Sequence, residues 1–305
     1  MRFLRIIFIS FFVSGLVSFG MSCATAPKSS DAKPVFGPEP GPDPTVTAPP
    51  PDVSEQGPQP LPSVYGPKGL EVYPIILVLG PGLARGYAYA GVLRALHDAK
   101  IPISHIVGLE MGAVMGGIYT RSKTVNEFEW TLMKLKPEAF SADPDNFERK
   151  LTELIGHADF SHTRISFRAG VHSPDNGKFS WLERGDLAKA LRLSFFQEGR
   201  ITRPFPVEDA RTLASGPVVV VDVVNEASIA KDETDLAEKH YHRKLAEAKR
   251  QDMAEYQRAD LVIRPVIKGV KYFDYTQKTK LSFAGKQAVQ KAMAELKRLT
   301  GVTKP

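Results

Sequence analysis

Residues 72–121 alternate between two hydrophobic patterns, and this alternation limits the folds open to the chain. The run VYPIILVL at 72–79 is apolar and ends at Gly80, which predicts a strand buried on both faces. AYAGVLRALHDAK at 88–100 carries apolar residues at helical spacing. A second strand (IPISHIVGLE) and a second helix (MGAVMGGIYT) follow directly. This order predicts an α/β fold with a mainly parallel sheet covered by helices.

The rest of the chain continues the same pattern. VVVVDVV at 218–224 and ADLVIRPVI at 259–267 predict two further strands, and the periodicity of residues 283–299 predicts a C-terminal helix. Residues 226–258 are dense in charges of both signs, which predicts a solvated helix; a helix that binds a partner or a membrane surface is the alternative. No internal repeat is evident, so we expect one domain over residues 70–305.

Residues 1–22 have the features of a signal peptide: two arginines, an apolar run, then small residues before Cys23, the single cysteine. They resemble a bacterial lipoprotein signal, in which the cysteine is acylated, although Gly20 stands where leucine is usual. We therefore expect an exported lipoprotein held in the membrane through Cys23. Ala24 favours the outer membrane of a Gram-negative cell. Ordinary cleavage and an uncleaved anchor helix are the alternatives.

Composition separates residues 23–69 from the domain that follows. More than half of the 24 prolines fall here, and few apolar residues are available to form a core, which predicts a disordered Pro-rich tether. The net charge of +6 is spread along the chain, and no basic stripe is interleaved with aromatic residues. Nucleic-acid binding is therefore not expected.

The loop GPGLARG after the first strand does not fit a dinucleotide site. The G-x-G-x-x-G spacing from Gly80 requires glycine at position 85, where Arg85 stands, and no acidic residue closes a second strand about twenty residues later. His157 and His162 lie close in sequence, but no third metal ligand is implied. We expect neither a cofactor nor a metal.

The segment from LVLGPGLARG to IVGLEMGAVMGGIY resembles the opening of the patatin-like phospholipases. The similarity resumes at DLAKALRLS, at PFPVEDARTLASGPVVVVDV and at ADLVIRPVIKGVKYFDY, so it extends in order over residues 70–295. The resemblance implies a three-layer sandwich around a mainly parallel sheet.

The resemblance also implies a serine hydrolase that uses a serine–aspartate dyad. The serine lies in a G-x-S-x-G elbow, for which Gly108 and Gly112 supply the glycines. The aspartate lies in an Asp-Gly-Gly motif, and a glycine loop supplies N–H groups to the oxyanion. The positions of that loop here are Gly82, Leu83, Ala84, Arg85 and Gly86.

Three departures from this pattern bear on activity. Glu110 takes the serine position, and as a nucleophile it would form a high-energy anhydride, although it could act as a general base on water. Glu198, in QEGR, takes the aspartate position. In the loop, Pro81 lacks an N–H donor and Leu83 resists a positive φ. Asp222 and Asp274 have no motif around them and are expected to be structural.

The sequence thus predicts an envelope protein with a phospholipase-like fold that has lost its reaction and binds a lipid, a fatty-acyl ligand or an unidentified protein partner. An active acyl hydrolase with rearranged groups is the alternative, and a purely structural envelope spacer is a third. A carboxylate at a helix N-terminus is stabilised by the helix dipole. We therefore hypothesise that the Glu110 side chain fills its own oxyanion site.

Overall fold

A computed structural model describes residues 64–65, 71–140, 143–172, 178–197, 201–224 and 234–302. The predicted signal peptide, Cys23 and nearly all of the Pro-rich tether lie outside these residues, and so does Glu198. The described residues all belong to one compact unit, Val53–Pro305.

A central sheet of six strands, in the order β6-β5-β4-β3-β7-β8, organises the described part of the chain. Its strands are β3 (Ile75–Leu79), β4 (Ile103–Leu109), β5 (Ser166–His172), β6 (Phe179–Leu182), β7 (Val218–Val221) and β8 (Leu261–Ile263). Every neighbouring pair is parallel except β5 and β6. The short strands β1 (Val64–Tyr65) and β2 (Glu71–Val72) form a separate antiparallel pair.

Helices cover both faces of this sheet. They are α1 (Ala88–Asp98), α2 (Met111–Arg121), α3 (Val125–Lys134), α4 (Pro144–Ile155), α5 (Leu187–Phe195), α6 (Val207–Arg211), α7 (Leu236–Gln251), α8 (Met253–Tyr256) and α9 (Lys278–Thr300). Short 3-10 turns occur at Leu83–Tyr87, Pro137–Phe140 and Phe160–His162.

Strand β3 shows how the layers are held together. All five of its side chains are fully buried, and successive residues of a strand point to opposite faces. Ile75, Leu77 and Leu79 belong to the large core formed with α1, α2, α5 and α9. Ile76 and Val78 belong to a smaller core on the other face, with residues of α6 and α8. The predicted three-layer α/β sandwich with a mainly parallel sheet is therefore confirmed.

Several elements differ from their predicted bounds: the strands predicted over 72–79 and 259–267 are shorter, and the C-terminal helix predicted over 283–299 is longer. The strand predicted over 218–224 ends at Val221, because the carboxylate of Asp222 accepts the N–H of Val224 at 2.9 Å and turns the backbone away from the sheet. The charged segment 226–258 contains α7 and α8 within its described part. No helix among the described residues has the length and apolar character needed to cross a membrane.

Candidate functional site

Glu110 lies at the sharp turn between β4 and α2, with φ 52° and ψ −118°. A non-glycine residue with positive φ is strained, and such strain often marks a functional turn. Its N–H is satisfied by the hydroxyl of Ser194, at 3.1 Å, and that hydroxyl donates to the carbonyl of Gly170 at 2.7 Å. The side chain is 3% exposed and lies at the N-terminus of α2.

The Glu110 carboxylate accepts hydrogen bonds from the glycine loop and from Tyr241. Oε2 accepts the backbone N–H groups of Gly82 at 2.7 Å and Leu83 at 2.8 Å. Oε1 accepts the hydroxyl of Tyr241 at 2.5 Å. Two backbone N–H groups that converge on one oxygen form the arrangement that an acyl hydrolase uses to hold a negatively charged carbonyl oxygen. In this chain the oxygen belongs to the protein itself.

The glycine loop keeps two N–H donors that point to one oxygen, although its sequence departs from the family's pattern. Leu83 adopts φ 44°, the conformation that leucine was expected to resist, and its N–H points to Glu110. The N–H groups of Ala84 and Arg85 are used elsewhere, by the carbonyls of Tyr272 and Gly82. Of the five predicted loop positions, two therefore donate to the site. Gly86, the last of the five, is buried beside Met111.

The Arg85 side chain is buried beneath the site. Its Nε donates to the carbonyl of Val270 at 3.1 Å, and the guanidinium carbon lies 3.7 Å from the centre of the Tyr272 ring. Burial lowers its pKa from the usual range. Arg85 thus supports the segment that lies under α7.

The charge pattern of α7 predicts a solvated helix, but one side of this helix packs against the protein. One side of it carries residues spaced three or four apart that face the protein: Glu238, Tyr241, Leu245, Ala248 and Lys249. Glu238 accepts the N–H groups of Tyr272 and Phe273 at 2.8 and 2.9 Å. These contacts hold Tyr241 over Glu110.

Of the remaining predicted positions, Asp222 and Asp274 do not join the site. Glu198 lies outside the described residues. Asp222 is fully buried and forms an ion pair with Lys249 at 2.5 Å, while Asp274 accepts the N–H of Thr276 in an exposed turn. Within the described ranges, no group of three or more His, Cys, Asp or Glu side chains could hold a metal ion.

Two contributors to the site, Tyr241 and Ser194, were missed by the sequence analysis. Tyr241 is 131 residues from Glu110 along the chain and lies in a segment dominated by charge. Its only signal was its place on the less charged side of α7. Ser194 ends the LRLS segment of the family resemblance, but the segment gives no role for its hydroxyl.

The protonation of Glu110 follows from its surroundings. Burial raises its pKa, and the hydrogen bonds that it accepts only partly offset this effect. Burial and the neighbouring Glu110 carboxylate in turn raise the pKa of Tyr241 well above its usual range, so Tyr241 stays protonated and donates.

We expect the stability difference between the natural chain and Glu110→Gln to depend on pH. Between the ordinary value of 4.5 and the raised pKa in the folded chain, the folded state keeps a proton that the unfolded state has released. The free energy of unfolding must then fall as pH rises through this window, and Gln cannot titrate. Denaturant unfolding of both proteins over a pH series measures the difference. A difference that is flat, or that grows with pH, would contradict the raised pKa.

Tyr241→Phe is expected to lower Tm by about 3–12 °C for a domain of this size, since a hydrogen bond to a charged group contributes roughly 1.5–3 kcal/mol. It should also raise the pKa of Glu110 further. Tyr73→Phe is the matched control, because Tyr73 donates to Glu71 at the surface. Its Tm should be unchanged. Equal shifts in the two variants would mean that the Tyr241 bond adds nothing specific to the site.

The sequence of the chain is similar to the sequences of known proteins. The sequence model described as patatin-like phospholipase matches residues 77–248, more than half of the chain. An uncharacterised NTE family protein of Mycobacterium tuberculosis is 30% identical over 188 residues, which cover 58% of this chain and 51% of that protein. The chain therefore spans about half the length of this relative. A lysophospholipase of Neurospora crassa is 49% identical over 49 residues, 16% of this chain and 3% of that protein.

Two solved structures resemble the fold at low sequence identity. The type III effector protein ExoU has a TM-score of 0.44 and 12% identity, covering 76% of this chain and 58% of its own. VipD of Legionella pneumophila has a TM-score of 0.40 and 9% identity, covering 76% of this chain and 70% of its own.

Proposed function

We propose a function that starts from one premise: this chain belongs to the patatin-like phospholipase family. We infer that it is a member without hydrolytic activity, whose oxyanion site is filled by its own Glu110 and which acts by binding a lipid or a protein partner. The acyl-hydrolase fold is common to the family. The loss of the reaction is the step that we add.

The observation that supports this proposal is the position of Glu110 Oε2. It lies 2.7 and 2.8 Å from the N–H groups of Gly82 and Leu83, where the carbonyl oxygen of a bound ester would have to lie. A substrate carbonyl could reach these donors only by displacing the carboxylate. Glu110 stands where the family has its nucleophilic serine, and its own side chain occupies the oxyanion site.

An active hydrolase is the second candidate, and the raised pKa of Glu110 favours it, because a base with a raised pKa is better suited to activate water. The hydrogen bonds argue against it. One oxygen is held by two N–H groups and the other by Tyr241, so both carboxylate oxygens are already engaged. Acting as a base would require the side chain to leave this position.

We further propose that acylation of Cys23 anchors the chain in the outer membrane and that residues 23–69 act as a tether. Several acyl chains on one residue give stable attachment, whereas a single chain gives only marginal binding. The domain would then act close to a lipid surface. Labelling of the expressing cells with a radioactive fatty acid tests this step, and incorporation should disappear in Cys23→Ala.

The central experiment measures hydrolysis of p-nitrophenyl butyrate and of phosphatidylcholine vesicles by the natural chain, with Glu110→Gln as the control. We expect the same background rate for both and no labelling by a fluorophosphonate probe. Ester hydrolysis that Glu110→Gln abolishes would overturn the proposal.

Glu110→Ser gives a second test, since it restores the family's nucleophile. It should remain inactive because Glu198 still takes the place of the family's aspartate. It should also melt at a lower temperature, since each buried donor left without a partner costs roughly 1–3 kcal/mol. A higher Tm for Glu110→Ser would mean that Glu110 does not stabilise the loop.

A further inference from the structure

A cavity lies at the end of the sheet opposite to the end that carries Glu110. It has a volume of about 530 Å³ and opens where β4 and β5 begin, beside His105 and Ser166, which are register partners. Glu110 lies five positions after His105 along β4 and the turn that follows it, which corresponds to roughly 17 Å of extended chain. The cavity is therefore distinct from the candidate site already described.

The walls of this cavity carry an excess of positive charge. Arg164, Arg168 and Arg184 line it, against one acidic residue, Glu183. Arg168 pairs with Glu183 at 2.6 Å. Arg184 is exposed and has no ion-pair partner within the part of the chain that the structure describes. Arg164 is fixed in place, because its Nε donates to the carbonyl of Ser122 at 2.6 Å.

A buried polar atom without a partner lies at the same place. Nδ1 of His105 is inaccessible to solvent and has no hydrogen-bond partner. Leaving such an atom unpaired costs free energy. The hydroxyls of Thr163, Ser166 and Thr212 line the cavity as well, and Phe160 and Phe167 stack at 5.8 Å to form an apolar part of its wall.

We propose that this cavity binds a phosphate group. Arginine guanidinium groups match the geometry of phosphate oxygens and form charge-assisted hydrogen bonds with them. The hydroxyl of Ser166 would supply a further donor, whereas those of Thr163 and Thr212 already donate to the carbonyls of Phe160 and Asp209. The Glu183 carboxylate forms an ion pair with Arg168. An incoming phosphate would compete with this carboxylate for the arginine.

The volume indicates a ligand larger than inorganic phosphate, namely a phosphomonoester. Such a group is found both in soluble metabolites and in the headgroup of phosphatidic acid. The two sources share the same recognition chemistry and are separated by the experiment.

The test titrates the full-length Cys23→Ala chain with glycerol 3-phosphate by calorimetry, and measures its co-sedimentation with phosphatidylcholine vesicles that contain or lack phosphatidic acid. Arg184→Gln should weaken binding about 10-fold or more, because one charge-assisted contact is lost. Glu183→Gln should tighten binding, because the competing carboxylate is removed. Arg298→Gln is the control: it removes the same charge from an exposed position on α9.

Binding of glycerol 3-phosphate that is weakened by Arg184→Gln, tightened by Glu183→Gln and unchanged by Arg298→Gln assigns a soluble phosphomonoester. Binding only to the vesicles with phosphatidic acid, in the same order, assigns a lipid headgroup. No binding in either arm would overturn the proposal. Equal weakening by Arg184→Gln and Arg298→Gln would also overturn it, since that result would reflect overall charge alone.

Discussion

Gly112→Ala is expected to destabilise the fold by about 4 kcal/mol or more, a size of effect associated with overpacking in a rigid core. A methyl group at this position would lie 2.0 Å from the carbonyl oxygen of Leu79 and 2.6 Å from that of Gly80. Leu79 ends β3, which is hydrogen-bonded to β4 on one side and β7 on the other. The carbonyl of Gly80 accepts the hydroxyl of Tyr89 at 2.8 Å. Neither carbonyl is free to move away.

The consequence reaches the Glu110 site directly. Gly80 leads into the loop that carries the N–H groups of Gly82 and Leu83, so separating α2 from β3 also separates Glu110 from its donors. We expect Tm to fall by about 8–16 °C for a domain of this size, and the pH dependence attributed to Glu110 to weaken. Thermal unfolding by circular dichroism and denaturant unfolding at several pH values measure both effects.

Gly117→Ala, on the same helix, is the matched control. Its methyl group would meet only the end of the Leu191 side chain, at 2.6 Å, and a side chain adjusts at a lower cost than a paired backbone. It should cost less than Gly112→Ala. Similar Tm values for Gly112→Ala and the natural chain would mean that α2 does not pack against β3 as closely as the structure indicates.

The elements near Glu110 could be predicted from the sequence because their signals are local. β3, α1, β4 and α2 follow one another within 50 residues, and each has its own hydrophobic period. The turn between β4 and α2 is marked by glycines on either side of Glu110. The stabilising effect of a helix N-terminus on a carboxylate is likewise a local property. The hypothesis that Glu110 turns inward combined this local property with the oxyanion loop that the family resemblance implies, and its hydrogen bonds to the loop support it.

The contacts that complete the site are not local, and for that reason they could not be predicted. Tyr241 reaches Glu110 only because Glu238 and Lys249 fix α7 against the rest of the domain. No periodicity within α7 identifies the partners of these two residues. The positive φ of Leu83 could not be predicted for a related reason: the N–H bond to Glu110, 27 residues away, compensates for the local preference of leucine.

Lys249→Met is expected to cost about 3–5 kcal/mol, which corresponds to a fall in Tm of roughly 6–20 °C. Asp222 is fully buried, and its Oδ2 accepts from Nζ of Lys249 at 2.5 Å and from the hydroxyl of Tyr256 at 2.7 Å. Removal of the lysine would leave a buried carboxylate without its opposite charge. Methionine keeps much of the side-chain volume, so the loss measures charge more than packing.

The ion pair also connects the sheet to α7, two turns after Tyr241. Loss of the pair should therefore loosen α7 and raise the hydrogen exchange of its amides, including those around Tyr241. Lys249→Met/Asp222→Asn is the informative comparison. Asparagine can still accept the N–H of Val224 through its one oxygen and can donate its NH2 group to the hydroxyl oxygen of Tyr256, and it carries no charge, so the double variant should recover most of the lost stability.

A double variant as unstable as Lys249→Met would show that the lysine acts through packing and not through its charge. Recovery of stability with persistent fast exchange in α7 would separate two roles of the same residue. The charge of the buried Asp222 carboxylate would determine the loss of folding stability, whereas the ion pair between Asp222 and Lys249 would hold α7 over Glu110. In that case Glu110 should lose its bond from Tyr241 while keeping those from the loop, and its pKa should rise as in Tyr241→Phe.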